Sequence, residues 1–356
     1  MRSNNWRATA AFAVVAAASI AAFANAQGQA DAKATAVVAD MRNALGGEQK
    51  IAALKTLSLR ADYRREAGAM AGGGAGGGQF IMMTGPGGGH GGPDGGPQMT
   101  GKIEIDLELP ERYLRSDVGT GGFALTRTEG FEGSRPFMEI TGNSPGMRIM
   151  ADSPAADPTR SKLALKRSNA ELARMMLGLV GSTQPNFPVT YVHAGIAESP
   201  DGKADMIDVS GPEDFKVRLY VDAESHLPLM LTYMEAEPRI MTRSFTRDGG
   251  GAAAGGPASP RTVTSGGGHT VAGRGEAPEL TPEQRAELDK ARKEAEATPP
   301  KMIEYTLFFS DYKKVDGLSM PHRIARGTGN KTVEEWDITS YKVNPAFKTD
   351  RFKVGS

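Results

Sequence analysis

The stretch KIEIDLELP at 102–110 alternates without a break. Ile103, Ile105, Leu107 and Leu109 fall on one side of an extended chain, and Glu104, Asp106 and Glu108 fall on the other. Side chains of a strand point alternately to its two faces, so this segment is a strand with one dry face and one wet face. Such a strand belongs in an antiparallel sheet covered on one side only, because parallel strands are buried on both faces. The same texture recurs in LSLRADYRR (57–65), RYLRSDV, FALTRTEGF, RPFMEI, PVTYVHAGI, ADMIDVSG, FKVRLYVD, LPLMLTYME, IEYTLFFSDY, LSMPHRIARG and TVEEWDITSYKV. The tally is roughly ten strands, joined mainly by short turns without helical crossovers.

Helical spacing interrupts this texture in few places. Val37, Val38, Met41 and Leu45 share one face of a helix over 31–45, which Gly46-Gly47 stops. A short helix follows near 48–53. Leu165, Leu172, Met175, Met176 and Leu179 form a helical stripe within 159–180. A further helix at 281–296 has a good start in Thr281, Pro282 and Gln284, but its charged and alanine-rich sequence reads as an exposed excursion. The fold class expected is α+β: a large curved antiparallel sheet, an incomplete barrel, with helices packed on or plugging its open side.

Two glycine-rich segments, 67–99 and 248–278, hold 25 of the 45 glycines and are expected to be flexible insertions between neighbouring strands. They bury too little apolar surface to offset backbone entropy. The first 26 residues read as a cleaved export signal. Arg2 and Arg7 precede the apolar run AAFAVVAAASIAAFA, and Ala24-Asn25-Ala26 supplies the small-x-small cleavage pattern, with cleavage after Ala26. The expected product is one periplasmic domain over 27–356 with no transmembrane segment. It carries 40 basic and 42 acidic residues, a balance that argues against nucleic acid as partner. No cysteine is present, which excludes disulfides, thiolate metal sites and a lipidated cysteine anchor. The fold is therefore expected to be held by its hydrophobic core alone.

Chemistry is sparse. His90, His193, His226, His269 and His322 show no metal-ligand spacing, so neither a metal nor a cofactor is expected. Ser144 in GNSPG formally matches a nucleophile elbow, but a strand-like MRIMAD follows where a helix is required. The acidic residues mostly alternate with apolar ones, as in EIDLELP, and read as the outer, wet face. Glu334-Glu335 is an adjacent pair whose side chains point to opposite faces of a strand. No catalytic constellation emerges, and the chain is read as non-catalytic. Seventeen methionines are a high supply of adaptable apolar side chains, suited either to filling a core or to lining a cavity for varied ligands.

One outline occurs twice. YVDAESHLPLMLTY (220–233) and SDYKKVDGLSMPHRI (310–324) each run strand, Asp-led turn, then a return strand containing Pro. Asp222 and Asp316 favour turns, Gly317 supplies a positive φ, and Pro228 and Pro321 are expected at strand starts or edges. These segments, with ITSYKVNPAFKTDRF and the opening ALGGEQKIAALKTLSLRADYRR, resemble the LolA-like superfamily of exported, lipid-handling proteins, in particular lipoprotein-sorting-like members of unassigned role. The resemblance covers about two thirds of the chain after the signal. The glycine-rich insertions and the 281–296 helix are not part of the family outline. The resemblance implies a space between sheet and helices that holds acyl chains, with the 159–180 helix as lid. Candidate lining residues are Leu107, Leu172, Met175, Met176, Leu219, Val221, Leu231, Leu307 and Phe309, which could equally be plain core. The partner implied is a lipid or a lipidated polypeptide. The alternative is an envelope scaffold or sensor with a filled core that binds a protein.

Overall fold

In a computed structural model, the residues described are 31–66, 98–120, 125–142, 158–236, 301–329 and 331–353, with Ala286 and Lys290 and the backbone of 80–83, 149–150 and 240–243. The chain divides into two units, Met1–Ser244 with Met302–Ser356, and Phe245–Lys301. Of the second unit, Ala286 and Lys290 are helical and exposed; the rest of the expected 281–296 helix lies outside the described residues. So do the signal segment, most of 67–99, all of 248–278, His90, His269 and Ser144.

The first unit begins with helix α1 (Ala32–Leu45) and the short α2 (Glu48–Ala52). Strands β1 (Thr56–Glu66), β2 (Phe80–Met83), β3 (Gln98–Glu108), β4 (Arg112–Thr120), β5 (Leu125–Glu132), β6 (Arg135–Gly142) and β7 (Ile149–Met150) follow. Helix α3 (Pro158–Val180) separates them from β8 (Thr190–Ser199), β9 (Gly202–Ser210), β10 (Lys216–Asp222), β11 (Pro228–Ala236) and β12 (Ile240–Arg243). The chain closes with β13 (Met302–Val315), β14 (Leu318–Thr328) and β15 (Lys331–Val343). Twelve strands form one sheet in the order β6-β5-β4-β3-β1-β15-β14-β13-β11-β10-β9-β8, every neighbour antiparallel. It does not close: β6 and β8 are its edges. The expected fold class is the one observed, with twelve strands in place of about ten. The remaining three, β2, β7 and β12, form a small second sheet.

Local chemistry sets the hairpins. Asp222 Oδ1 accepts from the backbone of Glu224 and Ser225 and from the Ser225 hydroxyl, closing the β10–β11 turn. Asp316 (φ 51°) and Gly317 (φ 84°) both take the left-handed conformation that a two-residue hairpin requires. Pro321 meets the expectation of an edge only locally. It lies inside β14, opposite Tyr312. Pairing of β14 with β15 begins at Arg323, so the missing donor of Pro321 faces no ladder on that side.

Alternation then decides the layers. Leu57, Leu59, Ala61 and Tyr63 of β1, Ile103, Ile105 and Leu107 of β3, and Leu219, Leu231 and Phe309 of β10, β11 and β13 are all buried on one face. The helices lie over that face. The Asp31 side chain caps α1 through the amides of Lys33 and Ala34, and its other oxygen accepts the His193 amide of β8. Arg42 donates to the carbonyl of Gly181, joining α1 to the end of α3. Gly178 of α3 sits on the Phe309 ring so closely that a Cβ there would lie 2.0 Å from a ring carbon.

Gly178→Ala is therefore expected to cost stability by overpacking, about 1–3 kcal/mol, although alanine is the better helix former. Urea denaturation measures this, and adding Phe309→Leu should recover most of the loss. An unchanged midpoint for the single variant would show that α3 does not pack at this depth.

Candidate functional site

The face beneath α3 has two zones. At the end where β1 begins and α1 packs, it is predominantly apolar. All nine candidate lining residues fall in one apolar body: Leu172, Met175 and Met176 from α3, Leu107 from β3, Leu219 and Val221 from β10, Leu231 from β11, and Leu307 and Phe309 from β13. Eight are 5% exposed or less, and Leu307 is partly buried against them. The chain itself fills this layer.

At the other end the same inward positions carry charge. The inward parity of β1 runs through Tyr63 to Arg65, that of β4 through Tyr113 to Arg115 and Asp117, that of β5 through Arg127 and Glu129, and that of β15 through Trp336 to Glu334. Glu334 Oε1 accepts from Arg65 (2.5 Å), Arg115 (3.3 Å) and the Trp336 indole (2.7 Å). Asp117 accepts from Arg65 and Arg115 through both oxygens. Arg115 also lies over the Trp336 ring and donates to Glu171 of α3 at 2.5 Å. Arg127 is paired with Glu129. The expectation of a fold held by apolar contacts alone, with its acids on the wet face, is corrected here: Asp117, Glu129 and Glu334 are inward and buried. Inward charge is sustainable because each carboxylate meets guanidinium: Glu129 that of Arg127 on its own strand, and Asp117 and Glu334 those of Arg65 and Arg115. Glu335, next in sequence, points outward and pairs with Arg64 and Arg323, as the alternation requires.

A second group stands at the boundary of the two zones. Tyr233 and Tyr305 stack at 5.8 Å on β11 and β13. The Arg174 guanidinium of α3 lies 3.9 Å from the Tyr233 ring centre, and that of Arg326 on β14 lies 4.0 Å from the Tyr305 ring centre. Both reach one carboxylate oxygen of Glu235, at 3.7 Å and 3.1 Å.

Burial, reinforced by the Glu129 carboxylate, pushes the Glu171 pKa up to about 7 against the pull of Arg115. Asp117 and Glu334 go the other way: burial would raise them, but the Arg65 and Arg115 charges prevail and hold them below the usual carboxylate range.

Other features lie apart from this face. His193 pairs with Asp205 on β9, beside Lys33. A cavity of about 270 Å³ lies on the opposite face of the sheet, beneath residues 345–351. Ser58, Arg60 and the fully buried Asp106 floor it, and none of the nine lining candidates touches it. Among the described residues, no group of three or more His, Asp or Glu side chains is placed to hold a metal ion, and no helix is long and apolar enough to cross a membrane.

No family model and no curated protein matches the chain. Solved structures do. It is similar to a LolA superfamily protein from Nitrosomonas europaea (TM-score 0.41, 8% identity, covering 90% of this chain and 97% of that one). A DUF1329 family protein from Desulfovibrio piger gives the same values. A domain named for outer membrane lipoprotein sorting, from Vibrio parahaemolyticus, gives a TM-score of 0.38 at 8% identity, covering 89% and 94%.

Two outcomes are expected for the charged zone. Glu334→Ala leaves Arg65 and Arg115 with a shared partner missing in the interior and should cost about 3–5 kcal/mol in chemical denaturation, whereas the exposed Arg64→Ala should cost less than about 1 kcal/mol. The titrations have opposite signs. Asp117 and Glu334, lowered in the folded state, contribute stability above the unfolded carboxylate range that is lost as pH falls. Glu171, raised, contributes stability below its ordinary 4.5 that is lost as pH climbs toward about 7. Glu171→Gln should flatten that decline; an identical pH profile for the variant would refute the assignment.

Proposed function

We propose that this chain is an exported, non-catalytic carrier that holds an acyl chain between α3 and the apolar face of the open sheet. The observation that carries the reading is the way α3 is held. It covers a continuous apolar layer that includes Met175 and Met176, and its polar stripe is fastened by the pairs Arg115–Glu171 and Arg174–Glu235. A helix needed only to seal a core is held at least as well by apolar residues, because buried ion pairs recover little more than their desolvation. A helix that leaves and re-forms one register benefits from directional partners. Methionine suits a surface that must repack around a chain and around itself.

A second reading rests on a different observation. The apolar residues beneath α3 are buried by the chain itself, which also suits a filled-core envelope scaffold that binds a protein partner.

Native mass spectrometry of residues 27–356, purified from a bacterial periplasm and followed by solvent extraction, separates the two. The carrier reading expects bound lipid that exchanges with an added fluorescent fatty acid. Burial of about 0.8 kcal/mol per CH₂ predicts roughly tenfold tighter binding for each two carbons added to the chain. A lipid-free mass with no uptake of the probe would favour the scaffold.

A further inference from the structure

The charges beneath α3 do not divide evenly. In the group around Glu334, Arg65 and Arg115 face Asp117, Glu171 and Glu334, and Arg127 has Glu129. Around Glu235 the balance is reversed. Arg174 and Arg326 both pair with it, and it is the charge acting on partly buried Arg167. Arg167, Glu171 and Arg174 stand at i, i+4 and i+7, one stripe of α3. Glu171 also acts on Arg174 and Glu334 on Arg326, so across the two groups, among the described residues, six guanidinium groups stand against five carboxylates, and at this spot Arg174 and Arg326 share one oxygen of Glu235. The Nε atoms of Arg174 and Arg326 are buried and meet no acceptor among the described residues. A buried donor without an acceptor costs about 1–3 kcal/mol, and guanidinium groups bind carboxylate and phosphate oxygens in preference to others.

The position matters as much as the charge. Arg326 is in register with Leu307, and Tyr233 is two residues along β11 from Leu231. The cationic group therefore borders the layer formed by Leu172, Leu231, Leu307 and Phe309. Tyr233 and Tyr305 each carry one of the two guanidinium groups over the ring at that border. An apolar layer ending in surplus guanidinium is complementary to an amphiphile with an apolar tail and an anionic head.

We propose that the ligand is a single-chain anionic amphiphile, its carboxylate or phosphate held by Arg167, Arg174 and Arg326 and its chain lying in the apolar layer under α3. This rests on the carrier reading and specifies the class of lipid carried. The anion supplies the charge that Glu235 alone does not, and its oxygens accept from the two unused Nε donors. The ligand takes the place of contacts between α3 and the sheet, so binding accompanies displacement of the helix.

The test is competition against a fluorescent fatty acid by dodecanoate, dodecyl phosphate and dodecan-1-ol at pH 7.5, below their critical micelle concentrations. Both anions should bind at least tenfold more tightly than the alcohol, and the tighter of the two identifies the head as carboxylate or phosphate. The double variant Arg167→Met/Arg174→Met leaves the Arg326–Glu235 pair intact. It should bring the anions to within about twofold of the alcohol. Equal binding of all three by the unmodified protein would overturn this inference and leave the carrier reading standing; that comparison requires no variant. An anion preference that survives in the double variant would also overturn it. Failure of every probe to bind would remove the carrier reading itself.

Discussion

The arrangement turns on the Glu334 carboxylate. One of its oxygens accepts from Arg65 on β1, Arg115 on β4 and the Trp336 indole on its own strand. Through Arg115 the connection extends to Glu171 on α3. Four elements distant in sequence are thereby tied at one buried point. Such a hub is a weak source of net stability but a strong source of register, because its members have no acceptable alternative partners in the interior. A one-residue slip of β15 would turn Glu334 outward and take its pairs with Arg65 and Arg115 off the covered face.

With that register set, the covered face acquires its polarity. Along β1 the inward positions run from Leu57, Leu59 and Ala61 to Arg65; along β15 they run from Tyr341 and Ile338 to Glu334; along β11 from Leu231 to Glu235. Helix α3 matches this gradient, with Arg167, Glu171 and Arg174 over the charged zone and Leu172, Ala173 and Met175 through Val180 buried in the apolar one. The helix is thus held by two kinds of contact at its two ends. The apolar end is depth-sensitive, as Gly178 against Phe309 shows. The charged end responds to pH, because Glu171 lies near neutrality while Asp117 and Glu334 do not.

Much of the sheet was legible from alternation alone. The strand over KIEIDLELP, the Asp316-Gly317 hairpin and the α3 stripe all stand where period and turn chemistry place them. The charged zone was not read, although its signal is present. Arg115 and Asp117 share the parity of Tyr113, and Arg127 and Glu129 share that of Phe131. Opposite charges two apart on the dry parity of a strand mark inward pairs, whereas the rule that charges face water sends them outward. Arg65 and Glu334 meet across 269 residues of chain, a pairing that no local pattern contains.

Because the chain has no cysteine, the central claim, that α3 leaves the sheet to admit a ligand, can be measured as a distance. Leu163→Cys on the exposed side of α3 and Glu304→Cys on β13 accept spin labels without competing sites. Double electron–electron resonance with and without dodecanoate should show one short distance in the free protein and a longer population that grows with ligand concentration. A single distance that stays fixed while dodecanoate is bound would contradict the account.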